Sequence, residues 1–339
     1  MVDALRIVFF GTPAFAVPSL EALVASRHEV VAVVSQPDRP KGRGHQLQAT
    51  PTKVVALTHA IPVLQPAKIR EPAFLDQIRA LGADLGVVVA FGRILPDSLL
   101  AIPRLGMINV HASVLPRYRG AAPIQRSVLA GDAETGVTIM RVEAELDAGP
   151  TFAVATVPIP SDATSGDMEA VLAARGAGLL VPVVDDLARG RAVETPQDHA
   201  RATHAAKITK EEGTIDWTQP ATVVHDQVRG LQPWPLASTR LGPARLVLRR
   251  TRVLGTRSAD GHFRGQVPDV PIYRPGPGEG PFADLAPGTV VRASGDELTV
   301  ACGGGTELQI LELQPEGRRT MTAREFLAGR AVSPGTQFT

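Results

Sequence analysis

The first half of the chain alternates short apolar runs with segments whose apolar residues recur at helical spacing. Residues 5–10 (LRIVFF) form a nearly continuous apolar run bounded by Gly11 and Pro13, which is typical of a strand buried on both faces. Helical spacing follows, and the next apolar run begins at Glu29. The order strand, helix, strand predicts a parallel sheet.

The same alternation continues to about residue 190. Further helices are predicted at 53–60 and 74–82, and further strands at 61–66, 84–91 and 106–113. An alternating stretch at 151–159 then leads into a long helix over 165–189. We therefore predict an α/β fold class, with an N-terminal Rossmann-like parallel-sheet domain.

The second half has a different character. From about Ile215 onward, short strands separated by glycine-rich turns predict a small C-terminal β-barrel of OB-like type. The proline- and glycine-rich stretch 267–288 has little to bury and is predicted to be an exposed loop. These changes predict a catalytic-type domain at 1–190, a linker at 191–209 and a barrel domain at 210–339.

Composition narrows the classes of function. The 35 Lys and Arg against 34 Asp and Glu give a net charge of +1, so any site for nucleic acid must be local. Cys302, the single cysteine, cannot form an internal disulfide and has no neighbours suited to a metal, so we expect no metal site. With no secretory signal or 18-residue apolar run, we expect a soluble cytoplasmic protein.

The densest polar cluster, residues 109–125 (NVHASVLPRYRGAAPIQ), follows a predicted strand, where α/β enzymes place their sites. Asn109 and His111 are two residues apart, so their side chains leave the strand on one face. An amide and an imidazole there would stabilise the oxyanion of acyl transfer, with a carboxylate such as Asp147 as proton relay. Taken singly, each residue is more often structural: a backbone cap, a hydrogen-bonded histidine or a turn.

The stretch NVHASVLPRYRG resembles the signature of the folate-dependent formyltransferase family, with Ala112 and Val114 as mild departures. The resemblance implies that Asn109, His111 and Asp147 are catalytic and that the formyl donor is 10-formyltetrahydrofolate. It also implies a set of folate-binding residues: Ser113, Val114, Leu115, Pro116, Val89 and Phe91.

Three segments resemble the members of that family that formylate the methionine of initiator methionyl-tRNA. The loop at 36–53 carries Arg39, Lys41, Arg43 and Lys53 against Asp38, and the segments 205–237 and 311–330 are similar to the second domain of those members. The resemblance implies a monomer with initiator methionyl-tRNA and folate as partners, and it implies tRNA contacts from Arg39, Lys41, Arg43, Arg318 and Arg319. Without it, a solvated basic loop would be the commoner interpretation.

Three other functions compete with this interpretation. A family member acting on a small amine, such as a ribonucleotide or a nucleotide amino sugar, would use the same three residues. A dinucleotide-dependent oxidoreductase would need spaced glycines that the stretch GTPAFAVP lacks. A non-catalytic RNA-binding protein would use the barrel alone.

Overall fold

The structure is a computed structural model that describes residues 4–41, 46–257, 263–264 and 285–339. The chain divides into two compact units. The first comprises residues 1–124, 133–159 and 167–207, and the second comprises 125–132, 160–166 and 208–339. The domain limits drawn from the sequence stay a prediction. In the described ranges, no helix is both long enough and apolar enough to cross a membrane.

The first part of the chain contains the predicted alternation of strands and helices. In chain order the elements are β1 (Arg6–Gly11), α1 (Val17–Val24), β2 (Glu29–Val34), β3 (Arg39–Lys41), β4 (Gln46–Gln48), α2 (Pro51–Thr58), β5 (Val63–Leu64), α3 (Pro72–Ala80), β6 (Leu85–Val89), α4 (Asp97–Leu100), β7 (Met107–His111), β8 (Arg119–Gly120), α5 (Pro123–Leu129), β9 (Glu134–Arg141), β10 (Thr151–Pro158), α6 (Ser165–Ala188) and β11 (His204–Ala205).

Seven strands form the main sheet of the first unit, in the order β10-β9-β7-β6-β1-β2-β5. The five strands from β7 to β5 are parallel, as predicted, and every residue of β6 is buried. The prediction missed β9, which is antiparallel to β7 and to β10, so the sheet is mixed. The residues of β9 (ETGVTIMR) are almost all buried. They therefore lack the alternation of buried and exposed positions that marks an antiparallel strand with one face in solvent.

The basic loop after β2 contains a short hairpin, in which β3 pairs with β4. The root of the loop is held by Lys53, whose Nζ donates to Asp38 Oδ2 at 2.6 Å and to Gln65 Oε1 at 2.9 Å. The hydrogen bond from Lys53, followed by one from Gln65, holds the pKa of Asp38 below its usual range. Lys53 is therefore engaged at the root of the loop.

The second unit is built on an antiparallel sheet. Its elements are α7 (Ala221–Gly230), β12 (Ser238–Leu241), β13 (Ala244–Arg257), β14 (Phe263–Arg264), β15 (Val290–Ser294), β16 (Glu297–Cys302), β17 (Thr306–Pro315), β18 (Met321–Thr322) and α8 (Ala323–Gly329). The strand order β12-β13-β17-β16-β15 places buried aliphatic side chains of β13, β16 and β17 around Trp217 and Phe338, whose rings stack. The antiparallel sheet agrees with the predicted fold class, and most of the predicted loop at 267–288 lies outside the described residues.

Helix α8 begins with a capping box that also engages one of the predicted tRNA contacts. The Thr322 side chain accepts from Glu325 N, and the Glu325 carboxylate accepts from Thr322 N. Arg319 Nη2 donates to Glu325 Oε1 at 2.6 Å. This bond, followed by the one from the Thr322 backbone, lowers the pKa of Glu325 to about 2. The charge of Arg319 is therefore compensated within the protein.

We expect Glu325→Gln to lower stability only where the native carboxylate is charged. Glutamine retains the capping geometry but loses the interaction with Arg319. Because the folded-state pKa of Glu325 is about 2, below its value in an unfolded chain, the stabilisation is complete above pH ~4.5 and declines as pH falls towards 2. Urea unfolding of both proteins between pH 3 and 7 should show a difference that shrinks below pH ~4.5. A difference that does not change with pH would contradict this account.

Candidate active site

Two polar side chains lie at the carboxyl end of β7. Asn109 is half-buried and His111 is buried, and their spacing of two residues places both on one face of the strand. Within the part of the chain that the structure describes, the side-chain amide of Asn109 has no hydrogen-bond partner. This amide is therefore available to a substrate atom at the edge of the sheet.

The imidazole of His111 is held between a carbonyl and a carboxylate. Its Nε2 lies 2.9 Å from Tyr118 O, and because a carbonyl only accepts, Nε2 carries the proton of this bond. Its Nδ1 lies 3.6 Å from Asp147 Oδ2, which is beyond hydrogen-bond distance. Distances between catalytic groups commonly shorten when substrates bind. The pair therefore places a carboxylate oxygen beside the second ring nitrogen.

Asp147 reaches this position through an unusual backbone conformation and a fixed carboxylate. Its φ of 50° is left-handed, which costs most residues about 1–2 kcal/mol and aspartate less. Oδ2 accepts from Gly120 N at 2.9 Å, and the side chain is mostly buried. The structure thus brings together His111 and Asp147, which lie 36 residues apart in the sequence.

The predicted folate-binding turn is rigidly connected to the sheet. Ser113 is fully buried, and its hydroxyl donates to Arg117 O at 2.6 Å. Thr138 of β9 donates to Ser113 O and accepts from Leu115 N. The Ser113 hydroxyl is therefore used within the turn, whereas Val114 and Pro116 are partly exposed. Folate binding by Ser113, Val114, Leu115 and Pro116 stays a prediction.

The other two predicted folate-binding residues lie at and just after the end of β6. Val89 and Phe91 are buried, and the Phe91 ring packs edge-on against Phe10 with a centroid distance of 5.6 Å. The carbonyl of Phe91 accepts from Gln36 Nε2 at 3.1 Å. A folate contact from Val89 or Phe91 also stays a prediction.

The predicted tRNA-binding residues lie in both units. Arg39 is exposed on β3, Lys41 ends that strand, and Arg43 lies outside the described residues. Arg318 is exposed, and Arg319 is bound to Glu325. No group of three or more His, Cys, Asp or Glu side chains that could hold a metal ion occurs in the described ranges.

Two family models match this chain and together span most of it. A model described as "Formyl transferase" matches residues 5–184, and one described as "Formyl transferase, C-terminal domain" matches residues 207–331. The chain belongs to the formyl transferase family. Asn109, His111 and Asp147 all lie in the first match, and the antiparallel unit of this formyl transferase holds nearly all of the second.

Curated relatives of this formyl transferase match over almost the full chain. The methionyl-tRNA formyltransferase of Trichlorobacter lovleyi is 45% identical over 98% of this chain and 96% of its own length. That of Methylococcus capsulatus is 44% identical over 97% of this chain and 98% of its own.

A more distant solved structure shares the fold. The N-formyltransferase from Helicobacter canadensis, solved with folinic acid and dTDP-3-aminofucose, has a TM-score of 0.64 at 15% identity. The match covers 90% of this chain and 98% of the Helicobacter canadensis chain.

The sequence did not point to one buried residue beside Asp147. Gln197, in the predicted linker, donates from Nε2 to the carbonyls of Asp147 and Gly149 at 2.9 and 2.7 Å. Its Oε1 accepts from Arg119 Nη2 at 2.8 Å. A single glutamine in the stretch TPQDHA carries no local signal for such a contact, because its partners are about 50 and 78 residues away.

A side chain at Gly120 would disturb the backbone that holds Asp147. Its φ is 120°, and a Cβ there would lie 2.8 Å from Ala205 O. We expect Gly120→Ala to displace the N–H that holds Asp147 and to lower the kcat of formyl transfer roughly 10- to 100-fold. As a control, Gly82→Ala introduces left-handed strain at φ 56° with no atom within 4 Å of its Cβ. Equal kcat values for the two variants would contradict the assigned role.

Proposed function

We propose that this protein transfers the formyl group of 10-formyltetrahydrofolate to the methionine amino group of initiator methionyl-tRNA. The observation that carries the proposal is the match of about 45% identity, over nearly the whole of both chains, to relatives named for that activity. The Asn109 amide, which has no hydrogen-bond partner among the described residues, and the His111–Asp147 pair supply groups suited to the chemistry.

The proposed reaction is a direct transfer. The methionine nitrogen attacks the formyl carbon, a new C–N bond forms, and the bond to N10 of the folate breaks. One proton leaves the attacking nitrogen and one is gained by N10, so a proton acceptor and donor must stand at the formyl group. The carbonyl oxygen is negatively charged in the tetrahedral intermediate and needs fixed donors.

We assign the donor role to Asn109 and His111. The Asn109 amide can bind the oxyanion without breaking an existing bond among the described residues. To donate to the oxyanion, the Nε2–H of His111 leaves Tyr118 O, while the Asp147 carboxylate lies 3.6 Å from Nδ1 of the same ring. We assign the relay of the proton to Asp147 and His111 together.

A covalent formyl-enzyme is not part of the proposal. Cys302 is buried in β16 of the other unit, and burial, followed by the nearby Glu307 carboxylate, raises the pKa of its thiol to about 12. A thiol in this state is protonated at neutral pH and does not act as a nucleophile.

The assignment of tRNA as acceptor rests on the C-terminal unit and the basic loop. Relatives that share the second unit are named for methionyl-tRNA. In the loop at 36–53, Lys53 is paired with Asp38, and we assign the phosphate contacts to Arg39, Lys41 and Arg43. We also propose a cytoplasmic location and a monomeric state, which cell fractionation and size-exclusion chromatography would test.

The alternative acceptor is a small amine. The Helicobacter canadensis structure was solved with an amino sugar nucleotide, and its fold extends over most of this chain. At 15% identity that likeness concerns the fold alone.

Replacing His111 tests the substrate and the site together. We expect purified protein to formylate methionyl initiator tRNA from 10-formyltetrahydrofolate, and His111→Ala or Asn109→Ala to lower kcat by roughly 100- to 1,000-fold. Formyl transfer is followed on acid-urea gels, with a parallel panel of ribonucleotide and amino-sugar acceptors. Folate binding by fluorescence controls for folding of each variant. Transfer confined to a small amine would replace the proposed acceptor.

Replacing Arg43 tests the basic loop. We expect Arg43→Ala to raise the KM for tRNA, leave the KM for folate unchanged, and reduce the slope of log kcat/KM against log salt by about 1. Arg70→Ala, which removes an exposed arginine outside the loop, is the matched control. If Arg43→Ala and Arg70→Ala have the same salt slope, the loop does not contact tRNA phosphates.

A further inference from the structure

Four residues from three distant segments form a closed polar ring, defined here as Arg119, Gly120, Asp147 and Gln197. Gly120 N donates to the Asp147 carboxylate at 2.9 Å, and the Asp147 carbonyl accepts from Gln197 Nε2 at 2.9 Å. Gln197 Oε1 accepts from Arg119 Nη2 at 2.8 Å and from Nε at 3.2 Å. The peptide bond between Arg119 and Gly120 closes the polar ring.

The members of the polar ring have little freedom to form other bonds. Arg119 and Gln197 are each only 8% exposed, so water does not readily replace their partners. The second donor of the Gln197 amide group contacts Gly149 O at 2.7 Å, which fixes the backbone on both sides of Ala148. One buried amide therefore holds the left-handed turn that carries Asp147.

Arg119 has further polar contacts outside the polar ring. Its Nη1 lies 3.4 Å from Glu145 Oε1, its Nη2 lies 3.3 Å from His199 Nδ1, and its backbone N–H donates to Thr203 O. Gly120 is paired with Ala205 through β8 and β11. The segment 195–205, placed in the linker by the sequence, thus supports the turn at 119–120 and, through Gln197, the turn at 147–149.

We propose that Gln197 is a positioning residue for formyl transfer, which sets the place of the Asp147 carboxylate relative to the His111 imidazole from outside the reacting groups. The inference rests on the proposed function, since Asp147 and His111 are taken as the proton-handling pair. Gln197 does not touch His111 or a reacting atom. Its effect runs through the backbone of Asp147, and Arg119 fixes the orientation of the amide by binding its oxygen.

The test variant is Gln197→Glu. It keeps the side-chain length and an oxygen for Arg119 but replaces the two N–H donors with an acceptor, which faces the carbonyls of Asp147 and Gly149. We expect kcat to fall at least about tenfold, with the KM for folate little changed, because the carboxylate is misplaced while substrate contacts persist. Gln197→Met, which has no charge, is the second variant should the glutamate prevent folding.

The chain offers a matched control in the other unit. Gln227 on α7 also donates from Nε2 to two backbone carbonyls, those of Glu212 and Thr214, at 2.8 and 2.9 Å. Gln227→Glu therefore removes the same kind of paired hydrogen bonds in the unit that does not contain Asp147. We expect both glutamate variants to lower the melting temperature, and only Gln197→Glu to lower kcat.

A spectroscopic measurement tests the positioning role of Gln197 without relying on enzyme activity. The imidazole 15N resonances of His111, assigned by their loss in His111→Ala, should shift in Gln197→Glu and stay in place in Gln227→Glu. Wild-type kcat in Gln197→Glu with unshifted resonances would overturn the inference, as would an equal loss of kcat in Gln227→Glu. If the wild-type protein forms no formylmethionyl-tRNA, the proposed function fails, and the His111 shifts still show whether Gln197 sets the Asp147–His111 geometry.

Discussion

Burial of the central parallel strands on both faces is the constraint on which the site depends. β1 and β6 offer almost no surface to polar side chains, and their backbone groups are satisfied by the neighbouring strands. Polar side chains that can meet a substrate are therefore expected near the carboxyl ends of the strands. Asn109 and His111 lie at such an end, and the turn that follows β7 is held against β9 by Thr138.

The parallel part of the fold could be predicted because its signals are local. An apolar run such as LRIVFF, followed by helical spacing, indicates a buried strand and its crossover helix without knowledge of the rest of the chain. β9 escaped prediction because it is buried on both faces while Thr135, Gly136 and Thr138 interrupt its apolar run, so the sequence shows neither a continuous run nor the alternation of a half-exposed strand. The two-residue strands β8 and β11 are too short to leave any periodic signal.

The candidate site also contains residues that could be predicted from the sequence and one that could not. Asn109 and His111 could be found from their spacing on one strand, and Asp147 as a candidate carboxylate for proton transfer, although a single Asp-Ala-Gly turn is common and the family resemblance was needed to single it out. Gln197 could not be found at all, since its role exists only through contacts with Asp147, Gly149 and Arg119. The number of basic residues in the sequence also overstates the positive charge available to tRNA. Lys53 forms an ion pair with Asp38, and Arg319 forms one with Glu325.

The polar ring has a consequence for how the catalytic unit can be cut from the chain or made by the ribosome. A fragment that ends at residue 190 contains all three assigned catalytic residues and the whole main sheet, yet it lacks Gln197 and the strand that pairs with Gly120. In such a fragment the turn at 147–149 lacks both hydrogen bonds from Gln197. During synthesis, the same dependence delays completion of the site until residues 195–205 have emerged, so the active centre matures only when translation has passed into the connection to the second unit.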